Sequence, residues 1–447
     1  MNIHFIAIGG SIMHSLAIEL KRHGHIITGS DDFIYDPAKS NLNKYNLLPK
    51  EFGFCISNIH DKLDLVILGM HAKIDNPELL EAQKKNITIS SFPEFIFNYS
   101  KQKKRIVIAG SHGKTTITGM IIHVLSQNNI ALDYLIGARI NALSNQVKLD
   151  NNDIIIIEGD EYLSSPIDVT PKFIHYHADI LVVSGVSWDH VNVFPTLNSY
   201  QSAFKSVCKQ VLKSSGQIFF CKHDPFLLSF LKNKHSSIQS YSLPEYEVID
   251  GKFNLIVNSK SLSLSVFGQH NLCNIAAAKS VCDQLGVSDQ DFYTAIQTFQ
   301  GASKRLDIIK EIDNHSCVYY DFAHSPSKVS ATINAVRELY PNRYLIACLE
   351  LHTFSSLNKD FIPNYSNIFL ECNEVFIYIP KKELKRKRIS GINPDYVLHL
   401  INHDHVTVIE DVQQLRANLS NLKLDHTNLL MMSSGNFSGL DIASIFM

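Results

Sequence analysis

The strongest chemical signal in this chain is the run Gly110-Ser111-His112-Gly113-Lys114-Thr115-Thr116. It follows a short apolar stretch, 106–109, and precedes a helical pattern carrying Ile117, Met120, Ile121, Val124 and Leu125. Backbone N–H groups in such a turn can cradle phosphate oxygens, helped by the positive end of the following helix. Lys114 is then placed to reach the β- and γ-phosphates, and the Thr115 hydroxyl to ligate Mg²⁺. The general phosphate-loop pattern puts a first glycine five residues before Gly113, where this chain has Ile108, so only its second half matches. The bland alternative is an ordinary glycine-rich turn, and Gly-Lys-Thr-Thr between strand and helix argues against it.

Two acidic strand ends follow. Glu158-Gly159-Asp160-Glu161 closes the apolar run 154–157, and Asp189-His190 comes after the run 180–183. Taken singly, the first is an ordinary solvated strand end and His190 a structural histidine. Together, behind one phosphate loop, they read as a shared Mg²⁺ site. A weaker signal is Gly9-Gly10, again between a strand and a helix. Ala7 stands where the first glycine of Gly-x-Gly-x-x-Gly belongs. A nucleotide diphosphate at the helix N-terminus, with Asp31 near the ribose or base, is one reading. A tight strand–helix turn without ligand is the other.

These residues need a scaffold of alternating strands and helices. The opening reads strand (3–8), glycine turn, helix with Met13, Leu16, Ala17 and Leu20, then a strand at 26–28 ending near Asp31. Another strand falls at 65–68, and the basic stretch 101–105 reads as a linker. The wholly apolar runs 154–157 and 180–183 predict strands buried on both faces of a parallel sheet. An amphipathic helix is expected over 271–285. Strands are expected at 318–322, 345–349, 375–379, 406–409 and 429–432, with a helix at 329–339. The basic run 381–388 reads as a solvated loop or helix.

Composition bounds the function. At 447 residues the chain has length for about three domains. A net charge of −2 gives no field drawing it to nucleic acid or membrane. Eight cysteines occur singly, without a Cys-x-x-Cys pair, so buried free thiols are expected rather than zinc or disulfides. The stretch 3–8 is too short and lacks the basic leader of a signal peptide, and no apolar run is long enough to span a bilayer. The expectation is a soluble, cytoplasmic protein.

Four motifs in order then resemble the Mur ligase family. They are Gly110 to Thr116; Gly268-Gln269-His270-Asn271-Leu272-Cys273-Asn274-Ile275-Ala276-Ala277-Ala278; Gly301 to Arg305; and Asp321-Phe322-Ala323-His324 followed by Ser325-Pro326. The resemblance spans essentially the whole chain. It implies an α/β protein of three domains: a Rossmann-like UDP-binding domain (1–103), a central ATPase-like parallel-sheet domain with the phosphate loop (104–304), and a Rossmann-like C-terminal domain for the incoming amine or peptide (305–447). It implies UDP-sugar contacts at Gly9, Gly10, Ser11, Asp31, Asp160 and Glu161. ATP would be held by Gly110, Ser111, His112, Gly113, Lys114, Thr115 and Thr116, with His270, Asn271, Asn274, Arg305 and Asp321. Mg²⁺ would take Thr115, Glu158 and His190. Lys114, Glu158, His190, Arg305 and His324 would serve the reaction, in which a substrate carboxylate attacks the γ-phosphate and an amine then displaces phosphate from the acyl phosphate.

Two kinds of family member take UDP-N-acetylmuramate. One adds L-alanine, the other the tripeptide L-alanyl-γ-D-glutamyl-meso-diaminopimelate. Asp160-Glu161-Tyr162, Lys172-Phe173-Ile174-His175-Tyr176, Leu349-Glu350 and the stretch 432–439 resemble the tripeptide ligases. Ser184, Gly185 and Ser187 depart from the family's Asn-x-x-Glu, and His352-Thr353-Phe354-Ser355 stands where an arginine is expected. Lys205, which matches the position of a carbamylated lysine elsewhere in the family, is read as a surface helix lysine. Folate polyglutamylation, an inactive nucleotide-binding regulator and a dehydrogenase are the remaining alternatives. The oligomeric state is left open by the sequence.

Overall fold

The computed structural model describes the whole chain except residues 139, 141, 142, 144, 233, 234, 250, 302–305, 314, 390 and 447. The chain forms two compact units. The first comprises 1–186, 201–242 and 275–296, and the second 187–200, 243–274 and 297–447. Three main sheets with their helices make up the three-part α/β fold that the sequence predicts.

The first unit carries two of these sheets. Its all-parallel four-stranded sheet runs in the order Ile26–Ser30, Asn2–Ile6, Leu65–Leu68, Ile89–Ser91. The helix Ser11–Arg22 buries Leu16, Ala17 and Leu20, the stripe read from the sequence. The seven-stranded sheet runs Ile238–Tyr241, Gln217–Cys221, Ile180–Val183, Lys104–Ala109, Ile154–Glu158, Asp133–Leu135, Val147–Lys148. Its central strands are fully buried, as their continuous Ile/Val runs require. It is mixed rather than wholly parallel. Val147–Lys148 turns back antiparallel on Asp133–Leu135, the pairing open to a connection without a crossover helix. Ile108 pairs with Glu158 and Ala109 with Val183. The glycine loop therefore leaves the sheet between the two strand ends that carry Glu158 and Ser184. Within this unit the buried Glu19 accepts the Leu149 N–H at 3.0 Å, tying the first helix to the edge of the larger sheet.

The second unit holds a six-stranded sheet in the order Asp307–Asp313, Ser316–Asp321, Thr427–Met432, Tyr344–Glu350, Glu374–Tyr378, Val406–Ile409, parallel except for its first pair. The helix Pro326–Leu339 covers it with Val329, Ile333 and Val336. Three short antiparallel strands, Tyr246–Ile249, Lys252–Val257 and Lys260–Ser263, form a separate sheet.

Some expectations need correction. The stretch 101–105 is not a simple linker. Lys103 is buried with Nζ 3.1 Å from Asp133, and the strand begins at Lys104. Cys55 is exposed rather than buried. The basic run forms the helix Lys381–Lys387, with no buried residue, in keeping with a solvated surface.

Candidate functional site

Glycine is required twice in the loop. Gly113 has φ +70° and caps the helix Lys114–Gln127. Gly110 has φ +127°, and a Cβ there would strike the Ser184 hydroxyl. The loop is pinned from the neighbouring strand end: Ser111 N–H donates to the Gly185 carbonyl at 2.9 Å, and the Ser184 hydroxyl donates to the His112 carbonyl. Ser184 and Gly185, which mark a departure from the family pattern, thus brace the glycine loop.

Lys114 is mostly enclosed, with its side chain 16% exposed. Its Nζ donates to the Gly110 carbonyl at 2.6 Å and to Glu161 Oε2 at 2.7 Å. Burial by itself would favour the neutral amine, but Glu161, Asp160 and Glu158 outweigh it and hold the pKa above the ordinary lysine value. Lys114 is therefore a fixed cation. Beside it, the Thr115 hydroxyl donates to Glu158 Oε1 at 2.8 Å, and the Gly137 N–H donates to Oε2 at 2.7 Å. A Cβ on Gly137 would come within 2.8 Å of the same carboxylate. A hydroxyl and a carboxylate, oriented together beside the phosphate cradle, are the hard oxygen donors that suit Mg²⁺.

A cavity of about 330 Å³ opens in the first unit. Its wall includes Gly10 and Ser11 from the first glycine turn, Lys114 and Glu158 from the loop region, and His71, Asp160, Lys172 and Tyr176. Both sequence signals therefore border one space. Gly9 and Asp31 serve it indirectly: Gly9 N–H donates to Asp31 Oδ2 at 2.8 Å and fixes the turn. Burial raises the Asp31 carboxyl to about 6, with Asp32 adding to the effect, against the opposing hydrogen bond from Gly9. The other two acids expected at the UDP-sugar divide. Asp160 lines the cavity and takes Lys172 Nζ at 2.6 Å, whereas Glu161 is buried against Lys114. His71 carried no sequence signal, being a lone histidine beyond the strand Leu65–Leu68. Lys172 stood only within a motif resemblance.

The second unit carries the other candidates. Asp189 is buried and accepts the His190 N–H at 2.8 Å, with Lys328 Nζ 3.4 Å and His324 Nε2 3.9 Å away. Burial pushes its carboxyl up, but Lys328, His190 and His324 prevail and hold it well below the usual carboxylate range. His190 has φ +53°. Thr115 and Glu158 meet in the first unit, while His190 belongs to the second. Asp321 accepts from Leu306 N–H and Ala323 N–H, each at 2.7 Å, and from the Thr332 hydroxyl at 3.1 Å. It organises the base of its own sheet. Asn271 Nδ2 donates to the Phe267 carbonyl at 2.9 Å, and Asn274 Nδ2 to Asn271 Oδ1 at 3.3 Å, while His270 lines a separate groove. Where an arginine is expected, His352 lies 3.7 Å from Glu350 and 3.3 Å from the Ser434 hydroxyl. Lys205 lies over the Phe226 ring, 5.4 Å from its centroid. Arg305 lies outside the described residues.

Comparison with known proteins gives one consistent picture. Residues 108–282 match the Mur ligase middle domain. A UDP-N-acetylmuramate–L-alanine ligase of Clostridium botulinum is 30% identical over 386 residues, covering 82% of this chain and 81% of that protein. A UDP-N-acetylmuramate–L-alanyl-γ-D-glutamyl-meso-2,6-diaminoheptandioate ligase of Haemophilus influenzae is 28% identical over 361 residues, covering 75% and 76%. The crystal structure of a murein peptide ligase from Psychrobacter arcticus superposes with a TM-score of 0.70 at 23% identity, covering 100% of this chain and 98% of that one.

Proposed function

Since the chain belongs to the Mur ligase family of ATP-dependent, amide-bond-forming enzymes of cell-wall synthesis, we propose that it joins UDP-N-acetylmuramate to L-alanyl-γ-D-glutamyl-meso-diaminopimelate, releasing ADP and phosphate. The observation that supports this choice is the approach of Lys172, in the cavity wall, to Tyr162, with Nζ 5.8 Å from the ring centre. Both residues lie in segments resembling the tripeptide ligases. The L-alanine ligase is the second reading, favoured by the 30% identity to an enzyme of that name.

In this reading the loop Gly110 to Thr116 takes the triphosphate, and Lys114 meets the charge that grows on the transferring phosphoryl group. Thr115 and Glu158 would hold Mg²⁺, which neutralises phosphate charge when bound. Gly10 and Ser11, at the start of the first helix, offer N–H groups and a hydroxyl to the UDP diphosphate. The sugar-borne carboxylate attacks the γ-phosphate, and the incoming amine then displaces phosphate from the acyl phosphate. We assign the positioning of nucleotide and amine to His190, His270, Asn271, Asn274, Arg305, Asp321 and His324 on the strength of the family motifs. Domain limits at 103/104 and 304/305, and action in the cytoplasm, belong to the same proposal.

Phosphate release with ATP, Mg²⁺ and UDP-N-acetylmuramate tests it. Turnover with the tripeptide well above that with L-alanine is expected. The reverse preference selects the second reading, and no turnover with any amine rejects both.

A further inference from the structure

We infer that Lys172 is the cation that receives the carboxylate of the sugar-borne substrate, exchanging Asp160 for it when the substrate enters. This rests on UDP-N-acetylmuramate being the acid that is activated. Two consecutive acids, Asp160 and Glu161, each hold one lysine, Lys172 and Lys114 respectively. The Lys114 pair is deep, with the Glu161 side chain only 1% exposed. The Lys172 pair is open, with the Asp160 side chain 40% exposed. The two lysines are similarly enclosed, 16% and 18% exposed, so the difference lies in their acids: the Lys172 pair is the one whose carboxylate reaches solvent and can be exchanged.

The chemistry needs a second cation. A carboxylate approaching a γ-phosphate is one anion meeting another, and in the proposed reaction both Lys114 and Mg²⁺ serve the phosphates, which leaves the carboxylate in need of a cation of its own. His71, in the same wall, is less suited, because burial and the neighbouring Lys172 lower its pKa against the opposing pull of Asp160. Lys172 also has a fixed base. It begins the short helix Lys172–His175, and its N–H donates to the Tyr162 carbonyl at 2.9 Å. Its Nζ sits 5.8 Å from the centre of the Tyr162 ring. The ammonium can turn from Asp160 to an entering carboxylate without backbone movement.

The test compares UDP-N-acetylmuramate with UDP-N-acetylglucosamine, the same nucleotide sugar without the 3-O-lactyl group that bears the carboxylate, by calorimetry on the full chain. Wild type should prefer the acid. Lys172→Met should weaken binding of the acid by roughly ten- to a hundredfold, the worth of a charge-assisted hydrogen bond, and leave binding of UDP-N-acetylglucosamine unchanged. Lys172→Arg should keep most of the preference, and Asp160→Asn should strengthen it by removing the competitor. A Lys172→Met protein that retains the wild-type preference overturns the assignment. If that variant does not fold, an Asp160→Asn protein with an unmoved preference overturns it instead. A wild type that binds neither sugar and releases no phosphate rejects the underlying reading, a result distinct from either of these.

Discussion

The first unit holds two strand–glycine–helix turns, at Gly9-Gly10 and at Gly110 to Gly113, and they solve different problems on one frame. Each launches a helix, Ser11–Arg22 and Lys114–Gln127, and each receives an acid from the adjacent strand end. In the first, Asp31 bonds the Gly9 backbone and no cation stands in the turn itself. In the second, Glu158 bonds Thr115 and Lys114 stands inside the loop. A turn with N–H groups alone can hold a diphosphate whose charge stays constant. A turn that must follow charge as it develops needs a fixed cation and a metal-ligating acid. The contrast separates binding from chemistry, and substitutions can attack it on either side.

The largest effect is expected at Lys114. Lys114→Ala should lower kcat by about 10³-fold or more, because the transferring phosphoryl group loses its cation. It also strands the buried Glu161, so the melting temperature should fall. Adding Glu161→Gln should recover stability without recovering turnover, and a double variant that regains both would place the chemistry elsewhere. Next comes Gly9→Ala. The new Cβ would lie 2.9 Å from both Asp31 Oδ2 and Ile34 Cγ1. A loss of about 1–3 kcal/mol in stability is expected, with a raised KM for the UDP-sugar and an unchanged KM for ATP. Equal effects on both substrates would break the division between the turns.

The smallest effect concerns Asp31. Its folded pKa, raised to about 6, lies above the unfolded carboxylate value of about 3.9. Its stabilising contribution is present below pH ~4 and is lost as pH rises through ~6. At pH 7 the ionised group should cost about 1–2 kcal/mol after allowance for its partial contact with water. Asp31→Asn should therefore stabilise the protein at pH 7 and flatten the slope of stability between pH 4 and 6. Urea titrations across that range measure it. An unchanged slope would mean that Asp31 is already ionised at little cost.

The same two turns explain what was legible in the sequence. Gly110 to Thr116 announces itself because seven consecutive residues form one recognisable pattern between a strand and a helix. Asp31 and Gly9 are joined across 22 positions by one hydrogen bond, and a two-glycine turn alone does not distinguish a ligand site from a structural bend. The main strands were readable because burial on both faces demands unbroken apolar runs, as in 154–157. The edge strand Val147–Lys148 and the hairpins over 246–263 were not, since short pairs alternating with Lys, Ser and Asn carry no such signature. His71 and the Lys172–Asp160 pair depend on tertiary folding, which brings separate strand ends to one cavity.

The central claim is that the turn closing at Gly113 grips the triphosphate. A crystal structure with a non-hydrolysable ATP analogue and Mg²⁺ tests it most directly. The γ-phosphate is predicted within hydrogen-bond reach of Lys114 Nζ, with the metal on Thr115 and Glu158. Nucleotide bound elsewhere, with Lys114 still on Glu161 and the loop vacant, would contradict it.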